Sequence, residues 1–117
     1  MKIPDSIRIN GVDYKVVYTS ALNDGNNVLY GSIDYENSII ELNPNRQEHQ
    51  HMCITFLHEI IHGIAFTMGM AETMGDDEEK IIDAFARGIY QVLQDNGRKL
   101  FDIKEPAMKE EDAKWVQ

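Results

Sequence analysis

The spacing of hydrophobic positions changes near residue 46. Before it, apolar and polar residues largely alternate: Ile7 and Ile9 with Ser6, Arg8 and Asn10, then Tyr14, Val16 and Tyr18 with Asp13, Lys15 and Val17. A period of two marks half-buried strands. Asn10-Gly11, between the first two runs, is a two-residue hairpin signal. Residues 20–27 predict a polar loop. Leu29, Gly31, Ile33 and Tyr35 then share one parity, Glu36-Asn37-Ser38 predicts a turn, and Ile39-Ile40-Glu41-Leu42 closes the β half. Asn43-Pro44 ends it, because proline has no N–H for a ladder. From 46 to 69, apolar residues fall at 54, 57, 61, 64, 65 and 68, the spacing of an amphipathic helix. A second helix is predicted from about 77 to 96, with Ile81, Ile82, Phe85, Ala86, Ile89, Tyr90 and Leu93 as its stripe. Asp76 to Glu79 complement the positive end of its dipole, and Asn96-Gly97 predicts its stop. Strands followed by helices predict an α+β fold: a small antiparallel sheet of three or four strands, then two packed helices. One domain is expected over 1–97, with 98–117 a partly ordered C-terminal extension in which Trp115 is an anchor.

Composition narrows the function classes. The chain has 117 residues, 20 Asp+Glu against 11 Lys+Arg, and a formal net charge of −9. That balance argues against a grip on nucleic acid, which needs clustered positive charge, and against anionic membrane surfaces. Cys53 is the single cysteine, so no internal disulfide is expected. No apolar run of about 20 residues predicts a membrane span. The first residues, with Asp5 and Arg8, lack the apolar core of a secretory signal. A cytoplasmic protein, monomeric by default, is the expectation.

One segment carries chemistry. His58-Glu59-Ile60-Ile61-His62 fits the pattern H-E-x-x-H and lies on the first predicted helix. The four-residue spacing puts both imidazoles on one face, one turn apart. Their nitrogens can then reach a single tetrahedral zinc ion at about 2.0–2.1 Å. Glu59 sits beside that face, placed to hold a water and take its proton. A third ligand is expected from the second helix. Glu79, in phase with Ile82 and Ala86, is the first candidate, and Glu78, in phase with Ile81, Ile82 and Phe85, is its rival. Asp83, one turn after Glu79, could accept a hydrogen bond from a ligand histidine. His51 shares the face of His58 but lies about 10 Å along the axis, too far to bind the same ion. It and His49 read as solvated, or as lining the cleft. Cys53 reads as a small buried residue, Met68, Met70 and Met74 as core and loop filling, and Tyr30, Tyr35 and Tyr90 as core or rim. The acidic run around Glu72 to Glu79 reads as a solvated loop, or as a steering field for basic substrates.

The H-E-x-x-H segment and the run from Glu79 through Asp83 to Ala86 resemble a zinc metallopeptidase of the gluzincin type. Together with the stretch from Gly31 to Asn43 leading into the helix, they are similar to short phage-borne relatives of the ImmA/IrrE metallopeptidases. The resemblance spans about residues 5–97. It implies a phage- or prophage-encoded zinc-dependent endopeptidase that hydrolyses peptide bonds by a zinc-bound hydroxide. One Zn2+ per chain would be held by His58, His62 and Glu79. Glu59 would be the general base, and Asp83 would support a histidine. The strand Ile39, Ile40, Glu41 and Leu42 resembles the edge strand that pairs with an extended protein or peptide substrate. The alternative is a non-catalytic regulatory or binding protein, either zinc-stabilised or metal-free.

Overall fold

The computed structural model describes residues 1–101. Strand β1 (Ser6–Ile9) turns through Asn10 and Gly11 into β2 (Val12–Tyr18). Both turn residues have positive φ, 46° and 86°, as a type I′ hairpin requires. After the loop 19–30 come β3 (Gly31–Asp34) and β4 (Ile39–Leu42), joined by a turn in which the Asp34 carboxylate accepts the N–H groups of Glu36 and Asn37. Helix α1 (His49–Thr67) follows, then the single turn α2 (Ala71–Met74), a 3-10 turn (Gly75–Asp77) and the long helix α3 (Glu78–Phe101).

The fold is α+β, as the pattern implies, but the sheet is mixed rather than antiparallel. Its order is β1-β2-β4-β3. The two hairpins are antiparallel, whereas β2 and β4 pair in parallel, Val16 opposite Ile40 and Tyr18 opposite Leu42. The reason lies in the apolar content of the strands. Ile40 and Leu42 are wholly buried, so β4 takes the centre, while all four residues of β3 are half-buried, which suits an edge. The loop 19–30 carries the chain past the central position to that edge, and the second hairpin brings β4 back in beside β2.

One face of the sheet covers α1. Ile9, Tyr14, Val16, Ile40 and Leu42 close on Phe56. On its other flank α1 packs against α3 through Cys53, Leu57, Ala86 and Tyr90. Helix α1 thus carries two buried faces, and its contact surface is wider than the stripe read from the sequence. Within that stripe Leu57 and Ala65 are buried, whereas Ile64 and Met68 are exposed, Met68 at 65%. Met70 is exposed as well, so neither methionine fills the core. Along α3 only the row Ile82, Ala86 and Tyr90 is fully buried, and Phe85 faces outward at 61%. The stop expected at Asn96-Gly97 does not occur. Asn96 donates its side-chain amide to the Val92 carbonyl one turn back, and the helix continues to Phe101. The extension expected from residue 98 therefore begins as helix. Trp115 and the rest of 102–117 lie outside the described residues. No single helix among the described residues is long and apolar enough to cross a membrane.

Two glycines let backbone approach backbone here. A Cβ at Gly63 would stand 3.0 Å from Ile9 Cδ1 and 3.1 Å from Ile33 Cδ1, so the helix rests close on the sheet. A Cβ at Gly31 would stand 2.6 Å from Thr55 Cγ2 and 3.1 Å from the Glu41 carbonyl. Thr55 cannot turn its methyl aside without losing its hydroxyl bond to Gln47 Oε1 at 2.7 Å. Gly31→Ala is therefore expected to destabilise the chain by about 1–3 kcal/mol, the usual range for overpacking. Adding Thr55→Ser, which removes the methyl and keeps the hydroxyl, should return most of that loss. Denaturant midpoints of the two single variants and the double variant check it. Additive losses would show that the clash is not the cause.

Candidate metal centre

Helices α1 and α3 run antiparallel, since His62 faces the start of α3 and His58 faces one turn further along. Their interface is apolar at Leu57, Ala86 and Tyr90 and becomes polar only where it meets the edge of β3. The polar end opens as a cleft of about 560 Å³. Gly31 and Ile33 form one wall, α1 supplies the floor with His58, Glu59 and His62, and Glu79 and Asp83 of α3 form the other wall.

Three ligand-type side chains converge there. The Nε2 atoms of His58 and His62 are 3.1 Å apart. Glu79 reaches both, with Oε2 3.1 Å from His58 Nε2 and Oε1 2.7 Å from His62 Nε2. Donors held at about 2.0–2.1 Å around a tetrahedral ion stand about 3.3–3.4 Å from one another. The histidine pair is near that edge length; Glu79 meets the two rings with different oxygens, and one donor atom from each of the three residues lies within 4.8 Å of the others. His58, His62 and Glu79 thus form a group able to hold a metal ion.

Glu78 and Glu79 stand in different places: Glu79 reaches the Nε2 atoms, whereas Glu78 lies behind His62. Asp83 Oδ1 lies 3.7 Å from His58 Nδ1, and Glu78 Oε2 lies 3.7 Å from His62 Nδ1. Both are electrostatic rather than hydrogen-bonding distances. Each places negative charge behind an imidazole whose Nε2 faces the junction. Asp83 stands where the spacing places it, and Arg87 holds it from behind, with Nε 3.1 Å from Oδ2. Glu78 backs the second histidine, a role the sequence reading does not give it. The signal was available: residues 78 and 79 start the helix that faces a histidine pair spaced by four.

Glu59 is 7% exposed and sits against Gly31, whose Cβ position is 3.4 Å from Glu59 Oε2. Burial, and then the negative charge of Glu79, push its carboxyl up to about 8. The sign for the metal-free chain follows. The unfolded carboxyl ionises near its usual 4.5 and the folded one near 8, so the unfolded state has released its proton first in between. Stability is fully present below about pH 4.5 and is lost as pH rises to about 8, by on the order of a few kcal/mol. Chelator-treated wild type should show that decline in thermal or denaturant unfolding, and Glu59→Gln should flatten it. Parallel profiles for the two chains would remove Glu59 as the source.

Tyr35, the first residue of the β3–β4 turn, donates its hydroxyl to the His62 carbonyl at 3.2 Å and stacks on Phe66 with ring centres 4.0 Å apart. Burial, with Glu78, Glu59 and Glu79 nearby, pushes the phenol up to about 12, so it stays a donor. Tyr35 is thus a rim residue and Tyr90 a core residue. Tyr30 is exposed, with Arg46 over its ring. Cys53 is buried, as expected of a small apolar residue, and His49 bonds the Met1 carbonyl away from the cleft. Glu72, Asp76 and Asp77 are exposed on the linker between the helices.

One expected element is misplaced. Ile39, Ile40, Glu41 and Leu42 form β4, which is paired on both sides by β2 and β3 and has no free edge for a substrate. Burial of Ile40 and Leu42 puts it in the centre. The free edge at the cleft belongs to β3, from Gly31 to Asp34. No protein-family model, curated protein or solved structure matches the chain.

Proposed function

We propose that the chain is a zinc-dependent endopeptidase that cuts an extended peptide held between the edge of β3 and the α1–α3 pair. The observation that carries this reading is the meeting of His58, His62 and Glu79 within reach of one ion, with a buried carboxylate, Glu59, on the same cleft floor. Two imidazoles and one carboxylate suit zinc better than calcium or magnesium, which take oxygen ligands. Glu78 lies behind His62 rather than at the Nε2 junction, so it does not close a fourth position as a purely structural site would. A zinc ion there supplies Lewis acidity, which makes water nucleophilic near neutral pH.

The rest of the chemistry belongs to the chain. The free edge of β3 offers backbone N–H and C=O groups to an extended peptide and holds it across the histidine pair. Positive charge at the junction favours the ionised form of Glu59. Glu59 takes a proton from the attacking water as its oxygen bonds to the peptide carbonyl carbon. It then gives that proton to the amide nitrogen as the C–N bond breaks. Asp83 and Glu78 lie behind the two imidazoles, where they would favour a proton on Nδ1 once a metal ion occupies the Nε2 side. Tyr35, bonded to the His62 carbonyl, ties the second hairpin to α1 and keeps the cleft width fixed.

The test is metal content and peptide turnover measured together, on the wild-type chain and on His62→Ala. A chain that takes up no zinc, or that takes it up and cuts no unfolded protein, sinks the reading.

A further inference from the structure

The cleft continues past His58 toward the start of α1, where its lining is Ile54, His51, Tyr30 and Leu29. His51 is too far along the helix to share the ion, and the reaction described above makes no use of it. Its surroundings nevertheless fix its chemistry.

The fixing begins at Gln47. The Gln47 side-chain nitrogen lies 2.8 Å from the Tyr30 carbonyl and 3.0 Å from the Asn43 carbonyl. Both partners only accept, so this end of the amide must be the NH2. The opposite end, Oε1, is therefore an acceptor. It receives the Thr55 hydroxyl at 2.7 Å and faces His51 Nδ1 at 2.8 Å. An acceptor on one side of that contact requires a proton on the other. His51 must carry a hydrogen on Nδ1, and in the neutral ring Nε2 keeps a lone pair. Among the described residues no hydrogen bond is made to His51 Nε2. The ring is held edge-on to Tyr30, with centres 4.7 Å apart and planes at 66°. Orientation and tautomer are thus set before anything binds, which is how a group meant for recognition is prepared.

The direction of β3 says what passes this nitrogen. Gly31 lies against Thr55 and Glu59, Ile33 against Gly63, and Tyr35 against His62, so β3 runs alongside α1 in the same sense. A peptide paired with the free edge of β3 follows the helix axis. It passes the histidine pair and then His51. The seven residues from His51 to His58 correspond to about 10 Å of helix, and an extended chain covers that in about three residues. The N–H groups of an extended chain that point away from β3 have no partner in the sheet and need an acceptor.

We infer that His51 is a substrate-positioning residue, whose Nε2 accepts a hydrogen bond from a backbone N–H of the bound peptide about three residues from the bond that is cut. The inference rests on the peptidase reading and goes beyond it, because it assigns a contact away from the reacting atoms. It makes the cleft a reader of backbone shape at that position, indifferent to the side chain there.

The experiment uses the full zinc-loaded chain and a decapeptide copied from around a bond that it cuts in unfolded casein. Each backbone amide of the peptide is N-methylated in turn, and kcat and KM are measured for wild type, His51→Phe and His51→Gln. Phe keeps the ring against Tyr30 without nitrogen, while the Gln oxygen reaches toward the place of Nε2. The expected result is one position, about three residues from the cut, where methylation raises KM of wild type about 5- to 10-fold, the range for one hydrogen bond. His51→Phe should show the raised KM with the unmethylated peptide and no further rise on methylation. His51→Gln should recover part of the loss, and kcat and zinc content should hardly change. Equal sensitivity to methylation in wild type and His51→Phe would overturn the inference and leave the peptidase reading standing. So would nitrogen NMR showing the His51 proton on Nε2. A zinc-loaded wild type that cuts nothing in unfolded casein overturns both.

Discussion

Glu59→Gln is expected to keep zinc at the wild-type stoichiometry and to lower peptide turnover by about 10²- to 10⁴-fold, the range for a positioned general base. Gln has the same shape but cannot take a proton. The position is 7% exposed, so a larger or smaller residue would confuse chemistry with packing. Stability should not fall, because a neutral amide avoids the burial cost that pushes the Glu59 carboxyl up to about 8. The three groups that meet around the junction are His58, His62 and Glu79, so the metal site loses no ligand. Zinc content by elemental analysis, beside kcat on a cleaved peptide, separates the outcomes. Undiminished turnover would remove Glu59 from the reaction. Lost zinc would mean that Glu59 is a ligand rather than a base.

His62→Ala is expected to lose both zinc and turnover. His62 Nε2 stands 3.1 Å from His58 Nε2 and 2.7 Å from Glu79 Oε1, so its removal opens the centre of the group and leaves only two protein ligands. The thermal response to zinc should vanish with it. In the wild-type chain, zinc at about a hundredfold above its dissociation constant should stabilise the fold by about 2.7 kcal/mol and raise the melting temperature by about 10 °C or more. The variant should show neither change. His49→Ala is the control, since that ring bonds the Met1 carbonyl outside the cleft. A His62→Ala chain that still melts higher with zinc would place the ion elsewhere.

The group able to hold a metal ion was legible in the sequence because it depends on local geometry. Helical spacing alone puts His58 above His62, and the phase of Ile82 and Ala86 turns Glu79 toward them. The sheet was less legible for a related reason. Strand length and alternation do not encode which strand sits beside which, and the central place of β4 follows from long-range competition among strands for burial. The family resemblance put the free edge on Ile39–Leu42, whereas β4 lies between β2 and β3 with Ile40 and Leu42 wholly buried. The exposed Met68 and Phe85 misled because a helix contacting two partners, or only one row of a partner, need not bury its whole apolar stripe. The Gln47, Thr55 and His51 network could not be read at all. Its two carbonyl partners, from Tyr30 and Asn43, come from backbone whose position only the finished fold defines.

The strand order also bears on how the cleft comes into being. Each hairpin joins neighbours in sequence and can close quickly, but Lys15 meets Ile39 only across the whole of the intervening chain. Pairing of this non-local kind spends loop-closure entropy before it returns any burial, and it slows the search for the native topology. The wall offered by Gly31 to Asp34 is fixed against the rest of the sheet through that late step. A nascent chain can therefore coil α1 and bring its histidines one turn apart well before it has a groove in which to lay a peptide. On the peptidase reading, the two histidines of α1 would stand ready early, while Glu79 and the cleft wall, and with them the complete site, would wait on contacts made across the chain.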